Sequence, residues 1–227
     1  MSCKEVTTSS NKDEKGMMIS NDKPLPKLSA SSKDLHRYLD VIEKEILPKT
    51  RDGVAAGNKV FGAAILLEDE TKCTLIADTN HEMECPMYHG EVYVIQKWYS
   101  QQKPKQHNPS SCIFLSTHEP CCMCISSIVW TGFQKVFYLF PYETTAKQGI
   151  PHDIKIMHEL WQVPSYKKQN SFLSTACLID LTDEIPSSEE QSILKDRIHQ
   201  ISCQYDDLSK KYHSEKIQND QNSLAFN

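Results

Sequence analysis

The stretch at 111–140, SCIFLSTHEPCCMCISSIVWTGFQKVFYLF, decides how the chain is read. "SCIFLST" is a short apolar run of strand length, "CCMCISSIVWTG" suits a helix stopped by Gly132, and "KVFYLF" is a second short strand. A helix between two strands is the crossover that sets neighbouring strands parallel. Upstream, "KVFGAAILLED" and "CTLIADTN" read as two strands joined by the charged turn Glu68 to Lys72, and "HGEVYVIQKWYSQ" carries Val92, Ile95 and Trp98 or Tyr99 at helical spacing. Downstream, "HDIKIMHELW" reads as a further helix and "FLSTACLIDL" as a last strand. The pattern predicts an α/β fold, a largely parallel sheet after an opening hairpin.

The flanks read differently. Residues 1–30 are rich in Ser, Lys, Asp and Asn and offer too little apolar area to offset the entropy of ordering, so a disordered extension is expected there. Ser31 stands three residues before Asp34, and Leu35, Leu39, Ile42 and Ile46 then recur at four-three-four spacing before Pro48, which predicts one amphipathic helix ending at the proline. At the other end Ser187 precedes Glu190 as in a capping box, and Leu194, Ile198, Ile201, Tyr205, Leu208 and Tyr212 form a helical stripe. That stripe packs on its own domain or forms a dimer seam. The expected organisation is an extension at 1–30, a single domain at 31–185, a C-terminal amphipathic helix at 186–213 and a disordered tail at 214–227.

Composition narrows the function. The chain has 227 residues, 39% of them hydrophobic, and a formal net charge of -5. With Arg37, Arg51 and Arg197 as its arginines, it has little general attraction for phosphate backbones, which disfavours a nucleic-acid substrate. No apolar leader opens the sequence and no window approaches a membrane span, so a cytoplasmic protein with no membrane partner is expected. The nine cysteines are an odd number, and in a reducing compartment a close cluster of them points to metal or redox chemistry.

Cys121, Cys122 and Cys124 are that cluster. Cys121 and Cys124, three apart at the start of a helix, share a face near unpaired N–H groups that favour the thiolate zinc requires. Cys122 points roughly 100° away and is assigned to packing. His89 is the best third ligand because Glu91 comes with it; the two can address one metal only if they straddle a helix start, which Gly90 would permit. Three ligands leave a position for water, the mark of a catalytic zinc, and Glu91 would supply the proton acceptor. A lone C-x-x-C also occurs in redox motifs and zinc ribbons, but no second C-x-x-C exists and a redox pair does not predict His-x-Glu upstream.

These residues carry a resemblance. With "HGE" at 89–91 and "EPCCMC" at 119–124, the chain resembles the cytidine/deoxycytidylate deaminase superfamily over roughly 60–140. Its "HGE" is similar to fungal cytosine deaminases, and its "EPCxMC" to guanine deaminases and tRNA adenosine deaminases. The resemblance implies a three-layer α/β/α fold whose five-stranded mixed sheet is flanked by helices. It implies a Zn2+ cofactor on His89, Cys121 and Cys124, a zinc-bound hydroxide as nucleophile, Glu91 as proton shuttle, and Asn80 as a substrate-binding residue. The expected function is hydrolytic deamination of a nucleobase, nucleoside or nucleotide by a homodimer. A tRNA adenosine deaminase and a non-catalytic zinc-containing partner subunit are the alternatives.

Overall fold

The structure, a computed structural model, describes residues 23–216. A helical run opens the domain as α1 (Ser32–Asp40), a π-helical segment (Val41–Ile46) and α2 (Leu47–Ala55). Five strands follow, β1 (Gly62–Leu67), β2 (Thr74–Thr79), β3 (Cys112–His118), β4 (Lys135–Phe140) and β5 (Ser174–Cys177). Between and after them come α3 (Gly90–Ser100), α4 (Cys122–Trp130), α5 (Tyr142–Lys147), α6 (His152–Trp161), α7 (Leu178–Asp183) and α8 (Ser188–Lys216).

The strands form one mixed sheet in the order β2-β1-β3-β4-β5. β1 is antiparallel to both β2 and β3, whereas β3, β4 and β5 run parallel. Side chains alternate across the sheet, as a period of two requires. Ala63, Ile65, Phe114 and Val136 join Val94, Ile95 and Trp98 of α3 and Ile125 and Ile128 of α4 in one core. Ala64, Leu66, Leu115 and Phe137 meet Leu35, Leu39, Leu178, Leu194 and Ile201 in the other. Both faces are covered, which is why the strands read as continuous apolar runs. The helical stripe of α8 is therefore intramolecular: Leu194, Ile198, Ile201, Tyr205, Leu208 and Tyr212 all lie in the second core.

Several local expectations change. The capping box on α1 forms in full, with Ser31 Oγ accepting from Asp34 N–H and Asp34 accepting from Ser31 N–H. The helical run does not stop at Pro48 but continues to Ala55. The π segment just before Pro48 widens the turn, with Leu47 N–H reaching back to Ile42 O, so the proline's missing donor falls where the ladder is already interrupted. "FLSTACLIDL" splits at Cys177, because Leu178 and Leu181 turn inward as one helical face of α7. Ser187 caps the first turn of α8, but Glu190 reaches Ser32 and His36 of α1 instead of closing a capping box.

Of the extension at 1–30, residues 1–22 lie outside the described residues, while 23–30 are extended and in contact with the domain. Leu25 N–H bonds to Asn170 O, Ser174 Oγ donates to Pro26 O, and Leu28 and Ala30 pack on the core. Of the tail at 214–227, residues 217–227 lie outside the described residues and α8 runs on to Lys216.

Candidate functional site

Two helix N-termini converge where β2 and β3 end. His89 is the N-cap residue of α3 and Cys121 that of α4, both with extended backbone, and Cys124 lies one turn into α4. His89 thus stands outside its helix and Glu91 inside it, the straddling arrangement that lets both face one centre. The ligand atoms of His89, Cys121 and Cys124 all lie within 4.8 Å of one another. His89 Nδ1 is 3.7 Å from Cys121 Sγ and 3.6 Å from Cys124 Sγ. Bonds of ~2.3 Å to sulfur and ~2.05 Å to nitrogen, meeting at a tetrahedral angle, separate S and N by about 3.6 Å. The donor set therefore fits zinc in type and in spacing. Cys122 falls outside this group, as its different direction on the helix requires, but it lines the adjoining pocket instead of the core.

Gly90 has a different reason from the one its sequence suggested. Its backbone is ordinary; what matters is that a Cβ on it would sit 2.7 Å from Gly62 Cα of β1. Two glycines let α3 start against the strand, which brings His89 over the sheet's edge. On the far side of the centre, a second set of contacts holds the 119–121 loop. Lys168 pairs with Glu119 amid the rings of Tyr138, Tyr142 and Tyr166, and Tyr142 Oη donates to Pro120 O at 2.6 Å.

Glu91 is buried, only 3% exposed, and accepts a 2.7 Å hydrogen bond from Ser116 Oγ on β3. That bond fixes the carboxylate's orientation. Asn80 is fully buried: its Oδ1 accepts from Gly90 N–H at 2.6 Å and its Nδ2 donates to Glu82 at 2.7 Å. Glu82 also forms a buried ion pair with Lys59, 2.8 Å between Nζ and Oε1. Glu82, Lys59 and Ser116 carry no local signature in the sequence, since their partners are brought together only by the fold.

The centre opens into a pocket of about 390 Å³. His89, Cys121, Lys59 and Glu82 supply its polar end, Phe61 and Met123 its flanks, and Ile156, Leu160 and Trp161 of α6 its outer wall. Apolar walls around a few convergent polar groups are the usual make-up of a small-molecule site. Phe61 packs edge-on against His118, with ring centroids 4.9 Å apart. His118 itself is core, bonded to Gln148 and pushed down to about 3 by burial, so it is neutral. Trp130 is 88% exposed, and Phe140 is buried.

With this geometry in place, the comparisons are specific about the region concerned. Residues 40–140 match the family model described as "Cytidine and deoxycytidylate deaminase zinc-binding region". No curated protein matches the sequence at a significant level. Among solved structures, a guanine deaminase from Nitrosomonas europaea is similar at 16% identity, covering 79% of this chain and 90% of that one, with a TM-score of 0.44. A guanine deaminase from Bacillus subtilis is similar at 26% identity, covering 58% and 83%, with a TM-score of 0.43. A structure from work on A-to-I editing by tRNA:A34 deaminases has 16% identity, coverage of 57% and 92%, and a TM-score of 0.39.

Proposed function

We propose, on the match of residues 40–140 to the cytidine and deoxycytidylate deaminase zinc-binding region, that the chain hydrolyses the exocyclic amine of a nucleobase, nucleoside or nucleotide. One observation carries the reading: a His-Cys-Cys set at zinc spacing, with a buried glutamate two residues from the histidine, opens into a pocket of small-molecule size. His89, Cys121 and Cys124 would hold the ion, and three protein ligands would leave room for a water. When bound, zinc supplies the Lewis acidity that makes a water nucleophilic at neutral pH.

The rest is the work of this chain's own residues. Water adds at the ring carbon that bears the amine, the carbon–nitrogen bond breaks, and ammonia leaves. Glu91, held by Ser116, takes the proton from the attacking water and returns protons to the ring nitrogen and the departing amine. Asn80, engaged on Gly90 and Glu82, acts on the substrate by holding the start of α3 in place. The apolar walls, Phe61 and Trp161 among them, cover the faces of the ring and exclude bulk water.

Lys59 is the lysine in the pocket wall and it is already paired with Glu82, which favours a small neutral ring over a polyanionic polymer. The homodimer belongs to the same reading, supported by exposed apolar side chains such as Trp130 and Phe172, and light scattering tests it. A cytoplasmic setting fits Cys73, Cys85, Cys112, Cys122, Cys177 and Cys203, which are thiols in the structure. The decisive experiment is ammonia release from cytosine, guanine, adenine and their nucleosides and nucleotides by the zinc-loaded chain. Turnover of one of them is the expected result; silence across the panel at full zinc occupancy overturns the catalytic reading in favour of a partner subunit.

A further inference from the structure

Glu82 makes more contacts than a simple ion pair needs. A carboxylate has about four lone-pair directions. Lys59 Nζ takes one on Oε1 at 2.8 Å, while Lys59 N–H at 3.2 Å and Asn80 Nδ2 at 2.7 Å take the two on Oε2. The direction left open is on Oε1, and that oxygen is 3.6 Å from His89 Nε2. The opposite nitrogen of the same ring, Nδ1, is the one that faces Cys121 and Cys124.

An imidazole that gives Nδ1 to a metal carries its proton on Nε2, and that N–H needs an acceptor when it is held in a largely buried site. A shift of a few tenths of an ångström brings the 3.6 Å separation into hydrogen-bond range. Desolvating a lysine and a glutamate together returns little net stability, so a buried pair calls for a role beyond cohesion. The network also holds the histidine's backbone: Asn80, which donates to Glu82, accepts from Gly90 N–H in the peptide that follows His89.

We propose that Glu82, held by Lys59 and Asn80, is the carboxylate that receives the Nε2–H of His89 and so fixes which ring nitrogen is presented to the metal. Glu82 is a positioning residue in this account, and the inference rests on the ligand role assigned to His89 above. It predicts that metal affinity, more than fold stability, depends on Glu82.

The test uses the full chain as wild type, Glu82→Gln, Lys59→Gln and His89→Ala. Zinc affinity is read by competition with a chromophoric chelator, and the thermal midpoint of each metal-free protein is read separately. Glu82→Gln is expected to weaken zinc binding about 10- to 100-fold, the usual loss when an outer partner of a metal-bound histidine is removed. Lys59→Gln, which leaves the carboxylate but frees it, is expected to weaken zinc binding by a smaller factor and keeps the test open should Glu82→Gln not fold. Wild-type zinc affinity in a folded Glu82 or Lys59 variant overturns the inference, as does a Glu82→Gln protein whose only defect is a raised KM. His89→Ala separates the two levels: if it binds zinc like wild type, the ligand assignment itself fails; if it alone loses zinc, only the role of Glu82 fails.

Discussion

Replacing Gly90 with alanine sets two effects against each other. In an exposed helix the change would stabilise by roughly 0.5–1 kcal/mol, because glycine loses more backbone entropy on folding. Here the added Cβ would lie 2.7 Å from Gly62 Cα and 3.0 Å from Gly62 C, where ordinary contacts begin at 3.4 Å. Neither atom belongs to a side chain that could rotate away, and Gly62 is itself held by a hydrogen bond from its N–H to Thr117 Oγ1. The start of α3 must therefore retreat by roughly 0.7 Å, a strain of about 1–3 kcal/mol for overpacking, which exceeds the entropic gain. For a domain of this size the melting midpoint should fall by roughly 2–8 °C. His89 moves with the helix, away from a Cys121 and Cys124 set spaced for a tetrahedral ion, so zinc affinity should fall and turnover should drop on the order of 100-fold. Thermal unfolding, chelator competition and ammonia release measure the three consequences. An alanine variant that melts at or above the wild-type temperature with undiminished zinc affinity refutes the close-approach argument.

Three further outcomes are expected. Glu91→Ala should retain stoichiometric zinc by metal analysis while losing on the order of 10²–10⁴-fold in turnover; a comparable rate would remove Glu91 as the proton carrier. His118 is neutral in the fold, pushed down to about 3 by burial against an ordinary value near 6.5, so the unfolded chain gains its proton first as the solution is acidified. Stability from this residue is complete above pH 6.5 and is lost at about 1.4 kcal/mol per pH unit as the pH falls toward 3. Denaturant titrations at pH 6 and pH 4 should show that loss in the wild type and a smaller one in His118→Gln; parallel behaviour in both proteins would contradict it. A chain ending at Ile185 should lose the cooperative transition altogether, because Leu194, Ile201 and Tyr205 complete the core on that side of the sheet. A native-like melting curve for that truncation would place the stripe of α8 outside the core.

The parts of the fold that were legible beforehand are those written in local periodicity. Ser31 with Asp34, the apolar spacing in α3 and α4, and the hairpin around Glu68 to Lys72 each depend on residues a few positions apart. The closeness of Cys121 and Cys124 was legible for the same reason, since helix geometry places them together, whereas His89 meets them across more than 30 residues and was singled out by its motif with Glu91 and not by periodicity. Pro48 misled because a local rule met a helix that had already changed its winding at Val41–Ile46. "LIDL" misled because a short apolar run serves a buried strand or a buried helix equally well. The reason for Gly90 lies 28 positions away in Gly62, and Glu82 meets Lys59 across 23 positions; no periodicity announces either.

The first and last helices of the domain are also partners. Arg197 of α8 reaches back 154 residues to Glu43, and bonds to Asp40 and the carbonyl of His36 as well. At about 5–20 residues per second, the ribosome takes roughly 8–30 s to synthesise that interval. Throughout it, Leu35, Leu39 and Ile42 have no α8 to cover them, and the sheet they pack on is itself being assembled strand by strand. The contacts of α1 with α8 are therefore the last of this core that the order of synthesis allows to form. A core completed by contacts of such long sequence separation closes slowly, because the entropy of loop closure is met before the contacts reward it.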